Sequence, residues 1–330
     1  MTRVLLVRLS AMGDVVQCLG AVRALHAARP DLQLCFVTQR ENVPLLQGVP
    51  GIAEVVAHDR RGGLSAWWRT RAVLRALRCD VALDLQGNWK SALCAWLAGC
   101  RHRIGAGASG RQEPWSRALL TDLVAIHGPR HPALVAMAVV RELAPSALWL
   151  PPQLEATEDE VGAAAARVRD AGVDPTCPFL VVLLGRPEDP RSLRQVAIDA
   201  SAANGRPVLL VAGPHEQGLS LPRGFPVLQQ QRGELRHLVG LGALVARVGG
   251  EVLGADQGPA HVLAATGASV TVLFGPQDPA LTAPPRAHVL QHPLPPSCMP
   301  CRRSRCSHPR GPVCMEFAAA QGRVAPSVTE

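Results

Sequence analysis

Residues 249–279, reading GGEVLGADQGPAHVLAATGASVTVLFGPQDP, constrain the fold more than any other stretch of the chain. An apolar run from Val252 to Ala255 leads into Asp256-Gln257-Gly258-Pro259, and the Ala-rich residues from Ala260 to Thr266 have helical character. Gly267 is placed to stop that helix, and Ser269 to Phe274 read as a second, β-branched strand. The unit is therefore strand, loop, helix, strand, the repeat of a parallel sheet. Pro259 falls in the first helical turn, where its missing N–H costs nothing. Gly258 lets the backbone approach a ligand, and free amides at a helix start attract an anion. Asp256 and His261 sit at opposite ends of the turn. An ordinary βα connection would look the same, and His261 also reads as a core histidine bonded to a carbonyl. A second copy of the pattern, Gly275-Pro276-Gln277-Asp278-Pro279, favours a ligand cleft.

The same alternation runs through the rest of the chain. Val4 to Val7 is a short buried strand, Ser10-Ala11-Met12-Gly13-Asp14 is the turn after it, and a helix follows with Val15, Val16, Leu19, Val22 and Leu25 on one stripe. Asp14 stands at that helix start, where a carboxylate serves either as a cap or as a catalyst. Neither GxGxxG nor GxxxxGK[ST] follows, so dinucleotide and Walker-type ATP binding are unsupported. Leu34 to Val37 and Val55 to Ala57 read as strands, Trp67 to Leu77 as an Arg-rich helix, and Val81 to Leu85 as a strand ending in Asp84-Leu85-Gln86-Gly87. Arg101, Arg103, Arg111, Arg117 and Arg130 crowd what read as loops and short helices beyond it.

A Pro-rich stretch from Ala144 to Gln153 marks a hinge, after which the pattern restarts. A helix (158–171), a strand (179–184), a loop (185–190) and a helix (192–203) precede a strand (208–211) that ends in Gly213-Pro214-His215-Glu216. Two α/β domains, 1–152 and 153–330, are expected, each a doubly wound parallel sheet, facing one another across a cleft that is the default ligand site.

Composition narrows the partners. With no Tyr and five Phe, base-stacking recognition of nucleic acid lacks its usual platform. Lys90 is the only lysine. Residues 1–152 carry 18 Arg/Lys against 10 Asp/Glu, whereas residues 153–330 carry 16 against 16. The basic first half suits an anionic partner such as a phosphorylated lipid surface, although solvated arginines would give the same count. Four apolar residues before Arg8 are too few for a signal-peptide core, and no apolar run reaches the roughly 18 residues needed to span a bilayer. A cytoplasmic protein with at most peripheral membrane contact is expected, its ten cysteines mostly reduced. Cys298, Cys301, Cys306 and Cys314 form C-x₂-C-x₄-C-x₇-C, which reads either as a zinc clip or as metal-free thiols. Cys18, Cys35, Cys79, Cys94, Cys100 and Cys177 read as small core residues.

Ser10 to Asp14, Asp84 to Gly87, Asp256 to His261 and Leu273-Phe274-Gly275-Pro276 together resemble the ADP-heptose:lipopolysaccharide heptosyltransferases, family 9 of the glycosyltransferases. The match runs in order along nearly the whole chain. The resemblance implies the GT-B fold, with two Rossmann-like domains, and inverting transfer of heptose from ADP-L-glycero-D-manno-heptose to the lipopolysaccharide inner core. It implies no cofactor and no catalytic metal. It places the enzyme at the inner face of the bacterial inner membrane, with an anionic acceptor at the membrane surface. Asp14 then matches the general base. Gly13, Glu216, Asp256, Gln257, Gly258, Pro259 and His261 match donor contacts, and Arg191 stands in for a lysine usual in close relatives. Arg61, Lys90, Arg103 and Arg111 are candidate acceptor contacts, Lys90 also reading as an exposed helix charge. Gln257 replaces the usual Ser or Thr, which leaves room for another nucleotide sugar or acceptor, or for a catalytically silent binding protein.

Overall fold

The computed structural model describes residues 2–184, 205–214, 216, 224–303 and 305–315. The chain divides into two compact units, Met1–Gln153 and Leu154–Glu330.

The first unit runs β1 (Arg3–Val7), α1 (Met12–Ala28), β2 (Gln33–Gln39), α2 (Val43–Leu46), β3 (Ile52–His58), α3 (Gly63–Ala76), β4 (Val81–Asp84), α4 (Trp89–Ala98), β5 (His102–Ala106), β6 (Asp122–Val124) and α5 (Pro132–Val140). All strand pairs are parallel, in the order β3-β2-β1-β4-β5-β6. Val4 to Val7 are fully buried, which is why β1 reads as an unbroken apolar run: helices cover both faces of a parallel sheet. The segment expected as loops around Arg101 and Arg103 is strand β5, paired from Val81↔His102 to Asp84↔Gly105. HRIGA has one large apolar residue, so local pattern misses a strand that pairing with β4 imposes.

The second unit runs α6 (Glu158–Asp170), β7 (Leu180–Leu183), β8 (Val208–Ala212), β9 (Val227–Gln229), α7 (Leu235–Arg247), β10 (Glu251–Ala255), α8 (Gly258–Ala265), β11 (Ser269–Phe274), α9 (Pro279–Thr282) and β12 (His288–Gln291). Its parallel sheet has the order β12-β11-β10-β7-β8-β9. Counted within each unit, both sheets therefore follow 3-2-1-4-5-6, reversing direction between β1 and β4 and again between β7 and β10. Ligands of such sheets bind at the carboxyl ends of strands beside that reversal. The expected helix 192–203 lies outside the described residues. Helix α7, absent from the sequence reading, packs on α6 through Gly240, where any Cβ would strike the Glu160 carbonyl.

The carboxyl end of β4 is organised by a buried ion pair. Asp84 and Arg111 side chains are both 0% exposed and meet at 2.8 Å. Asp84 Oδ1 accepts the Gln86 and Gly87 N–H groups at 3.1 and 3.0 Å, in a loop that Gly87 closes at φ 80°. Arg111 Nε donates to Ser116 Oγ at 2.9 Å and its Nη2 also reaches the Asn88 carbonyl at 3.3 Å. Removing one partner of such a pair strands the other as a buried charge. Arg111→Ser should cost about 3–5 kcal/mol by denaturant unfolding, and Arg111→Met with Asp84→Asn should cost less than the two single losses summed. A loss below about 1 kcal/mol for Arg111→Ser would show that the pair does not hold the loop.

Candidate functional site

The first cluster forms at the carboxyl ends of β1 and β4, on either side of the sheet's reversal. Asp14 sits in the first turn of α1, beside the buried Gly13, and accepts the Ala11 N–H at 3.2 Å, half of a capping arrangement. Its Oδ2 also lies 2.5 Å from Arg8 Nη2. The Arg8 side chain is 5% exposed and that of Asp14 is 29%, so a carboxylate open to solvent is held by a guanidinium that is not. Arg8 Nη1 donates to the Leu85 carbonyl at 2.8 Å, and Gln86 Oε1 accepts the Leu9 N–H at 2.6 Å. The Ser10 N–H also reaches Gln86 Oε1 at 3.4 Å, so the loop that carries Asp14 is fastened to the Asp84-Leu85-Gln86-Gly87 loop through both Arg8 and Gln86. Sequence reading did not single out Arg8. Its signal was a charge directly after the apolar strand β1.

The four candidate acceptor residues separate. Arg61 is exposed just past the carboxyl end of β3. Lys90, in the first turn of α4 after β4, places its ammonium 5.7 Å over the Trp89 ring. Both stand on the edge that carries Asp14. Arg103 does not: it lies near the start of β5, with Nε and Nη1 each donating at 2.8 Å to the Leu119 and Cys100 carbonyls. Arg111 corrects the expectation outright, since a side chain with no exposed surface, bonded to Asp84, has nothing to offer an acceptor.

In the second unit, a pocket of about 1250 Å³ opens where β10 meets α8. Glu216, Asp256, Gln257 and Gly258 line it. Pro259 and His261 do not; His261 is 6% exposed, with Nε2 3.6 Å from Asp256 Oδ1. Asp256 Oδ2 accepts the Thr282 hydroxyl at 2.8 Å from α9. Gln257 turns its side chain back, Nε2 reaching the Leu183 carbonyl at 3.3 Å, and no side chain caps the start of α8. Arg191 and His215 lie outside the described residues.

The far wall of this pocket is the cysteine-rich tail. The Arg302 N–H donates to the Pro276 carbonyl at 2.7 Å and its guanidinium pairs with Asp278 at 3.3 Å. Cys314 and Met315 are buried against Leu253 and Leu273, and Gly275 leaves room for Met315. Arg302, Arg303 and Arg305 border the pocket beside Cys298, Cys301, Cys306 and Cys314. Although these thiols share one cavity, no group of three or more His, Cys, Asp or Glu among the described residues is arranged to hold a metal. The zinc clip is therefore not assembled in this structure. Cys18, Cys35, Cys79, Cys94 and Cys100 are buried as expected, whereas Cys177 is exposed.

The comparisons with known proteins agree with this architecture. Residues 67–173 match the family model of Glycosyltransferase family 9 (heptosyltransferase). The chain is 27% identical to lipopolysaccharide heptosyltransferase 1 of Pseudomonas aeruginosa, over 93% of this chain and 88% of that protein. Among solved structures, the glycosyl transferase family 9 protein of Veillonella parvula superposes with a TM-score of 0.73 at 19% identity, covering 88% of this chain and 85% of that one. Escherichia coli heptosyltransferase WaaC with ADP-2-deoxy-2-fluoro heptose superposes with a TM-score of 0.65 at 22% identity, covering 88% and 94%. Two parallel six-stranded α/β sheets in one chain, matching these structures, are the GT-B fold. Family model, curated relative and solved structures agree on the heptosyltransferases of glycosyltransferase family 9 as the proteins this chain is similar to.

The tail makes a chemical prediction. Burial, and then the neighbouring thiols of Cys301, Cys306 and Cys298, push the Cys314 thiol up to about 11, whereas Cys298 and Cys306 are exposed. Alkylation of the native, reduced protein near neutral pH should therefore modify Cys298 and Cys306 at least about tenfold faster than Cys314, read by mass spectrometry of the digested chain. Equal rates at Cys314 would show the tail undocked, and joint protection of all four that chelator releases would reinstate the metal clip.

Proposed function

We propose that this glycosyltransferase moves an L-glycero-D-manno-heptose from ADP-heptose to the inner core of lipopolysaccharide, with inversion and with Asp14 as general base. The name of the Pseudomonas aeruginosa relative supports the acceptor, and the sugar nucleotide named with the Escherichia coli structure supports the donor. The observation that carries the reading is the Asp14 carboxylate, open to solvent beside the β1/β4 reversal and steadied by buried Arg8.

In the proposed reaction, the acceptor hydroxyl passes its proton to Asp14 as its oxygen bonds to the anomeric carbon. The bond from that carbon to the β-phosphate oxygen breaks, and ADP leaves with the electron pair. Charge gathering on the diphosphate would meet the amides at the start of α8 and the tail arginines that line the same pocket. Glu216, Asp256, Gln257 and Gly258 are the donor contacts of this reading. Pro259 shapes the turn and His261 holds Asp256 from behind, while Arg191 remains a candidate for the diphosphate. The second unit is proposed as the donor-binding half and the first as the acceptor-binding half, where Arg61 and Lys90 supply positive charge. The acceptor is lipid-borne, so the proposed location is peripheral, on the cytoplasmic side of the inner membrane. Among the described residues no helix is long and apolar enough to cross a membrane.

ADP release from ADP-heptose in the presence of a lipopolysaccharide-core acceptor tests the activity. Asp14→Asn keeps the shape and an acceptor for the Ala11 N–H but cannot take up the proton. The expected result is a kcat about 10²–10⁴-fold lower, with donor affinity nearly unchanged. Loss of the ion pair to Arg8 lowers stability whether Asp14 is base or cap, so the melting transition is measured alongside. A folded variant with kcat within about threefold of the parent would sink the base assignment.

A further inference from the structure

The stretch from Arg60 to Arg78, reading RRGGLSAWWRTRAVLRALR, contains six arginines and no acidic residue. Most of it is helix α3, whose first turn follows closely on the carboxyl end of β3, the edge that carries Asp14. Ala66, Thr70 and Leu74 recur at helical spacing and are buried, turning one stripe onto the core. The opposite stripe is not purely polar, as it would be on an ordinary surface helix: Leu64 and Trp68, about one turn apart, are 80% and 66% exposed there beside Arg71 and Arg75. The Arg71 guanidinium lies 5.5 Å over the Trp68 ring. Among the described residues, no ion pair forms on any of the six arginines.

We propose that the outer face of α3 is a docking surface for an anionic phospholipid bilayer. A helix lying in a membrane interface combines an apolar stripe containing Trp and Leu with flanking cations that meet the headgroups. Trp is suited to that depth because its ring is amphipathic. A protein partner would be expected to answer six like charges with acids in a defined pattern. A bilayer needs only a negative surface potential, and the absence of any acidic residue from Arg60 to Arg78 fits a diffuse field. The inference deepens the proposed function by naming the surface that brings the enzyme to a lipid-borne acceptor, but it stands on α3 alone.

Vesicle co-sedimentation with the full chain tests it, using phosphatidylcholine with or without phosphatidylglycerol. The parent should sediment with the anionic vesicles only and should be released by high salt, which shortens the reach of the charges. Arg69→Gln with Arg71→Gln should weaken partitioning about fivefold per arginine, and Leu64→Ser with Trp68→Ser should weaken it at least about tenfold. Both pairs change exposed or half-exposed side chains, so their melting transitions should match the parent. The arginine pair keeps the test decisive if the apolar pair misfolds. Turnover of a soluble core acceptor should be unchanged in both, because none of these residues belongs to the proposed machinery. Binding to neutral vesicles alone, or equal binding by parent and variants, would overturn the proposal. So would a dimer in solution that the Leu64/Trp68 pair dissociates, since a second copy would then own the face. Intact vesicle binding without any ADP release would instead reject the enzymatic reading and leave the surface standing.

Discussion

The first unit depends on one buried ion pair. Taking Asp84 and Arg111 out of water is expensive, and an isolated pair seldom recovers that cost. Here the remaining polar atoms are satisfied: Asp84 Oδ1 takes two backbone N–H groups, and the guanidinium reaches Ser116 and the Asn88 carbonyl as well as the carboxylate. The result is a rigid loop after β4, and rigidity there is transmitted. Leu85 offers its carbonyl to Arg8, Gln86 offers its side-chain oxygen to the Leu9 N–H, and Arg8 holds Asp14. A charge pair with no access to solvent thus fixes, through two loops, the position of a carboxylate that has access.

The second unit solves the matching problem differently. Its loop at the carboxyl end of β10 contains no buried ion pair among the described residues. Asp256 is steadied instead by the Thr282 hydroxyl and by His261 behind it. The far wall of the pocket comes from residues after the last strand, with Cys314 and Met315 sunk among Leu253 and Leu273. Packing into a close-packed interior gives Cys314 and Met315 a fixed seat. That seat puts Arg302, Arg303 and Arg305 on the wall of the pocket that Gly258, the first residue of α8, also lines. The same strand order therefore presents two different kinds of site: a held carboxylate in one unit, and a cation-rimmed pocket in the other.

Much of this was legible in the sequence because parallel strands buried on both faces leave unbroken apolar runs. Val4 to Val7 could be read directly from such a run, Ser269 to Phe274 from its β-branched residues, and the loop–helix junctions at Asp14 and Gly258 from their turn residues. What escaped was whatever depends on a distant partner. Strand β5 exists because β4 lies beside it, and HRIGA alone does not announce it. Helix α7 is the exception: Leu235, Leu238, Val239 and Val245 fall on one side at helical spacing, so its period was legible and was passed over. Arg111 looked like a ligand-binding charge because its true partner, Asp84, lies 27 residues earlier. Arg8 was passed over for the opposite reason, as a polar residue after a buried strand with no visible task.

The surplus of positive charge in residues 1–152 has to be reread in the same light. Counting residues treats every arginine as a surface charge, yet many here are internal ties. Arg23 donates to the Pro151 carbonyl, Arg103 to the Leu119 and Cys100 carbonyls, Arg130 to the Arg111 carbonyl and Arg141 to the Ala147 carbonyl. A planar guanidinium with several donors can bridge two carbonyls at once, as Arg103 does, where an ammonium on a flexible stem has no fixed fork. A chain with one lysine can therefore use its cations as backbone cross-links without extra acids to balance them. These ties fix much of the positive charge into the fold, Arg75 included through the Leu97 carbonyl, while the run from Arg60 to Arg78 keeps six arginines with no acidic residue among them. That run lies along α3, which follows the strand edge that carries Asp14, so six like charges are concentrated on one short segment of the first unit.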